Sequence, residues 1–157
     1  MGLLAWLESL PISLWVHESP SVWAQPTVLT LHTMGMAVLV GASWMLDMRL
    51  LGINRKVPLS AYRWVFPVVG LGLIVNLTTG VMLFFKNATT WGTSIPFAVK
   101  MCLVIASAAT LVPIRSYVLN SKVGQIEVGG NARLLAIVSI LTWSGAVTAG
   151  RLLAYIM

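Results

Sequence analysis

The sequence predicts an all-α polytopic membrane protein, a four-transmembrane-helix bundle preceded by an N-terminal interfacial amphipathic segment. Three observations carry that prediction. Thr27–Leu46, Trp64–Phe85, Met101–Ile114 and Leu134–Gly150 contain no Lys, Arg, Asp or Glu. Extended past Lys100 to Ile95 and past Arg151 to Met157, all four segments reach or approach the ~20 apolar residues that cross a ~30 Å hydrocarbon core. The 157 residues are 58% hydrophobic and 9% charged, with mean hydropathy +0.89. A soluble domain carries roughly 25% charged residues.

Residues 1–26 form the interfacial segment and residues 27–157 the transmembrane domain. Met1 to Val16 is apolar but lacks a basic start and carries Glu8 and Pro11, unlike a secretory signal. Leu3, Leu7, Leu10 and Leu14 recur at helical spacing, and Pro11 divides the stretch into two short helices. This arm lies on a membrane surface or docks on a partner subunit. The four spans are expected at about 27–51, 63–86, 95–118 and 133–157. Val123 to Asn131, with Gly124, Gly129 and Gly130, reads as a flexible loop. Ala37 with Gly41, Gly72 with Asn76 and Gly80, and Gly145 with Ala149 are small-residue surfaces for close packing.

Arg49, Arg55, Lys56, Arg63, Arg115, Lys122 and Arg133 flank two loops on one side, against Lys86, Lys100 and Arg151 on the other. The positive-inside rule then puts both termini outside, on the periplasmic face of a Gram-negative inner membrane. The formal charge of +6 is scattered over helix ends, which argues against nucleic acid binding. One cysteine, Cys102, excludes an internal disulfide and a cysteine metal cage.

Polar residues inside the spans are the candidates for chemistry. His32 and Lys100 each sit five residues into a span, ~8 Å below the outer boundary, and Thr79 and Arg151 lie at ~9 Å. Ionisable groups at such depth are costly and face a bundle interior or snorkel to the interface. Two cations and an imidazole at one level favour an anionic ligand. Haem b fits: His32 as axial ligand, Lys100 and Arg151 on the propionates, and His17, Met82 or Met101 as second axial ligand. Copper is the other candidate, held by His32 and Met36, which share a helix face at i, i+4, whereas Met34 points elsewhere. A third reading is a cofactor-free accessory subunit in which these cations hold a lipid phosphate or a neighbour. Asp47 is expected to pair with a base such as Arg63 or Arg115. No carboxylate lies near a span midplane, which argues against a cation-coupled transporter. No nucleophile and base pair is visible, so independent catalytic turnover is not expected.

The stretch L-x-x-H-T-M-G-M-A-V-L-V-G-x-x-x-x-D-M-R-L-L-G from Leu29 to Gly52 resembles the first span of small bacterial inner-membrane proteins of no assigned function. P-F-A-V-K at Pro96–Lys100 and A-G-R-L-L-A-Y at Ala149–Tyr155 resemble the same pattern. More distantly, the single-His helix is similar to copper-resistance CopD-like membrane proteins and to small membrane cytochromes b. The resemblance implies a four-helix inner-membrane protein and singles out His32, Asp47, Arg49, Lys100 and Arg151. Partners are expected to be membrane lipids and either other membrane subunits or further copies of the chain.

Overall fold

The computed structural model describes residues 2–19, 21, 23–121 and 127–156; of His17, Glu18, Ala154 and Ile156 only the backbone is described. The protein is 84% helical, with no strand among the described residues. Helices α1 (Leu3–Glu8) and α2 (Pro11–Glu18) form the N-terminal arm, split at Pro11. The long helices are α3 (Ala24–Leu51), α4 (Val65–Lys86), α6 (Ile95–Leu119) and α7 (Gly130–Ile156). A one-turn helix, α5 (Ala88–Gly92), joins α4 to α6, and a 3-10 turn at Leu59–Tyr62 leads into α4. Four helical stretches are long and apolar enough to cross a membrane: Ala24–Leu51, Leu59–Lys86, Ile95–Leu119 and Gly130–Leu153.

The spans fall where the apolar runs place them, with shifts at the ends. α3 begins at Ala24, three residues earlier than expected, because Pro26 is harmless in a first turn where no amide has an intrahelical partner. α6 opens on Ser94, whose hydroxyl accepts from the Phe97 amide at 3.3 Å. α3 stops at Gly52 in a left-handed conformation (φ 104°), with Ile53 N–H on Met48 O and Gly52 N–H on Arg49 O.

α3 is the spine. It packs on α4 along one side and on α7 along another, and α6 packs on α7. α4 and α6 therefore close the bundle only loosely against each other. The α3–α4 seam is a glycine contact. A Cβ on Gly72 would meet Leu39 N at 2.8 Å, and one on Gly35 would meet Asn76 N at 3.0 Å, both backbone atoms. Gly72 thus serves as expected, but the α3 partner is Gly35. Gly41 has nothing within 4 Å, and Ala37 is exposed beside it. Spacing identified a small-residue stripe but not which side of α3 meets α4.

The core lies toward the basic end, around Leu39, Leu46, Leu50, Leu59, Val65 and Trp143. Asp47 is fully buried there and takes a hydrogen bond from Ser139 Oγ on α7 at 2.7 Å. It does not pair with Arg63 or Arg115, as the sequence suggested. Arg63 instead binds the carbonyls of Leu119 (2.9 Å) and Ser121 (3.1 Å) at the end of α6. Arg49, 2% exposed, turns back to Val57 O at 2.8 Å and so ties the loop after α3 to its own helix. The Gly-rich loop lies partly outside the described residues; Gly129 N–H donates to the Tyr117 hydroxyl at 3.0 Å.

The arm folds over the opposite end of the bundle. Glu8 Oε1 accepts from Thr89 N (2.8 Å) and Thr89 Oγ1 (2.6 Å), and Ser13 Oγ donates to Phe85 O at 3.0 Å. Trp6, Trp15 and Trp23 stay exposed.

Candidate functional site

Two polar side chains of α4 fix His32. Thr79 Oγ1 lies 2.6 Å from Val75 O, so its proton goes to that carbonyl, in the back-bonding usual for a threonine inside a helix. Its oxygen is left to accept. His32 Nδ1 sits 3.0 Å from Thr79 Oγ1 and 3.1 Å from Asn76 O. With acceptors on both sides, Nδ1 carries the proton in the neutral ring, and Nε2 has a free lone pair. Asn76 Nδ2 completes the link by donating to His32 O at 3.0 Å. Nε2 has no hydrogen-bond partner among the described residues. Gly80 makes room for the ring: a Cβ there would lie 3.2 Å from His32 Cε1.

His32 lines a cavity of about 400 Å³ between α3, α4, α6 and α7, at their ends away from the basic loops. This lies in the ~300–1,000 Å³ range of small-molecule sites. Its walls are largely apolar, with Leu29, Leu77, Val104 and Leu153 among them. Aromatic rings from three elements crowd one end of it. Phe84 and Phe97 stack with centroids 5.1 Å apart, and Trp91 of α5 stacks on Phe97 at 5.9 Å. Lys100 enters from α6. Its Cε and Nζ lie 3.5 and 3.8 Å from where a Gly150 Cβ would be, so the absent side chain on α7 accommodates the lysine stem. Lys100 makes no hydrogen bond among the described residues. The cavity thus offers one imidazole lone pair, one ammonium and an apolar, aromatic slot.

Three of the four polar residues expected at one depth come together. His32, Thr79 and Lys100 meet at this layer; Arg151 does not line the cavity and is exposed, one residue past the Gly150 that does. Met101 is part of the wall and Met82 is not. Met36 packs against the core cluster instead of the cavity, so His32 and Met36 share a helix face but not a site. The side chain of His17 lies outside the described residues. No group of three or more His, Cys, Asp or Glu that could hold a metal ion occurs among the described residues. The sequence put Thr79 at the depth of His32 but did not pair His32 with Asn76, Thr79 and Gly80. Their 76, 79, 80 spacing on one face of α4 was the available signal.

Comparison with protein-family models, with curated proteins and with solved structures gives no match for this chain.

Proposed function

We propose that this chain is a small integral membrane subunit that binds haem b in the outer cavity and serves electron transfer within a larger membrane assembly. One observation carries the reading: the His32 ring is anchored through Nδ1 to a backbone carbonyl and a hydroxyl, which leaves Nε2 free at the wall of an apolar cavity. Metal-ligating histidines typically have their second nitrogen held in this way, which fixes tautomer and ring orientation. Lys100 supplies the cation that a propionate needs, and Met101, in the cavity wall, is the candidate for a second ligand. Copper at His32 and Met36 is the weaker form, because Met36 belongs to the core. In the proposed topology both termini and the cavity face the periplasmic side of an inner membrane, as the Lys and Arg distribution argues.

The test is an absorption spectrum and metal analysis of protein purified from cells supplied with iron and copper. A Soret band absent from His32→Ala supports the haem form. Stoichiometric copper without a Soret band supports the copper form. Neither signal would leave a cofactor-free accessory subunit, its exposed Trp6, Trp15 and Trp23 being the docking arm.

A further inference from the structure

At the basic end of the bundle, α4 and α6 flank an open groove of about 780 Å³. Phe66, Val69 and Leu73 form one wall, and Ala108, Leu111 and Val112 the other. Its polar groups gather at one end: Arg115, Ser116 and Asn120. The wall on α6 runs from Ala108 to Leu119, ~16 Å at 1.5 Å per residue, about half of a ~30 Å hydrocarbon core. The groove therefore has the length of one leaflet, apolar toward the midplane and cationic toward the headgroups.

Arg115 differs from the arginines that flank the loop between α3 and α4. Arg63, Arg55 and Arg49 each donate to backbone carbonyls. Arg115 makes no hydrogen bond or ion pair among the described residues, and its guanidinium is exposed at the groove mouth. A guanidinium presents five donors and matches a phosphate in bidentate geometry. Basic pockets between transmembrane helices at such a surface suit acidic headgroups. A helix from a partner protein would need a carboxylate placed at Arg115, whereas an anionic phospholipid carries both the charge and the chain. We propose that the α4–α6 groove binds one anionic phospholipid of the leaflet at the basic end, its phosphate on Arg115 with Ser116 and Asn120 beside it, and an acyl chain along Leu73 and Leu111. This site is independent of any cofactor in the outer cavity.

Native mass spectrometry of the full chain, released from nanodiscs of equal phosphatidylglycerol and phosphatidylcholine, tests it. The expected result is one retained phosphatidylglycerol per chain, favoured at least tenfold over phosphatidylcholine. Arg115→Gln removes the headgroup preference. Gly70→Leu, at a lining position where a Cβ meets nothing within 4 Å, fills the groove and removes retained lipid of both kinds. Circular dichroism of both variants checks that the helices persist. Equal retention of the two lipids by the wild type would overturn the proposal, as would wild-type retention in both variants. A wild type that keeps no lipid but copurifies with a membrane protein would overturn it in favour of a partner helix.

Discussion

Replacing Gly72 by alanine places a methyl carbon 2.8 Å from Leu39 N, 3.0 Å from Leu39 Cα and 3.1 Å from Gly35 O. All three are backbone atoms of α3, so no side chain can swing aside. Reaching ordinary contact at about 3.4 Å requires α4 to move away by about 0.6 Å. Overpacking of this kind costs about 1–3 kcal/mol. One turn along α4, the same movement stretches Asn76 Nδ2 to His32 O (3.0 Å) and His32 Nδ1 to Asn76 O (3.1 Å) past useful hydrogen-bond length. In membrane bundles such bonds contribute roughly 0.6 kcal/mol each. Alanine's better helix propensity returns about 1 kcal/mol. The net expectation is a loss of about 1–3 kcal/mol, read as a drop of several degrees in the unfolding midpoint in mild detergent. Gly41→Ala is the control: its Cβ meets nothing within 4 Å, and its midpoint should stay or rise. A Gly72→Ala protein as stable as the wild type would refute the seam, and so would equal damage from both substitutions.

Three further substitutions probe other parts of the account. Asp47→Asn keeps an acceptor for the Ser139 hydroxyl and should unfold at or above the wild-type midpoint, while Asp47→Ala strands that hydroxyl and costs about 1–3 kcal/mol; a harsher effect from Asn than from Ala would show that the ionisable group itself is needed. Glu8→Ala removes both bonds to Thr89, worth about 1 kcal/mol at an exposed site, and should raise amide exchange across α1 with the four spans unchanged. Gly80→Ala puts a methyl 3.2 Å from His32 Cε1 and should displace the ring, weakening any Soret band while the helical signal stays intact.

How much the sequence revealed differs from element to element. The spans were legible because a bilayer demands length and apolarity, and Pro11 announced the split in the arm. α5 lies between the spans expected at 63–86 and 95–118: A-T-T-W-G is too brief for any periodicity, and it is helical because Glu8 and Leu4 of the arm pack on it. The layer of His32, Thr79 and Lys100 followed from depth alone, but depth carries no azimuth. Arg151 sits at the right height and points outward for that reason. The Asp47–Ser139 contact spans 92 positions, and a serine in an apolar run gives no sign of its partner. The α4–α6 groove depends on which helices pack only loosely, which no local pattern encodes.

The free Nε2 of His32 makes the central claim directly testable. His32→Gly removes the ring and leaves a gap into which free imidazole fits, so absorption spectra of the purified wild type, of His32→Gly and of His32→Gly with added imidazole separate ligation from folding. The account predicts a Soret band in the wild type, its loss in the variant and its return with imidazole. An unchanged Soret band in His32→Gly, or none in wild-type protein from haem-replete cells, would contradict it.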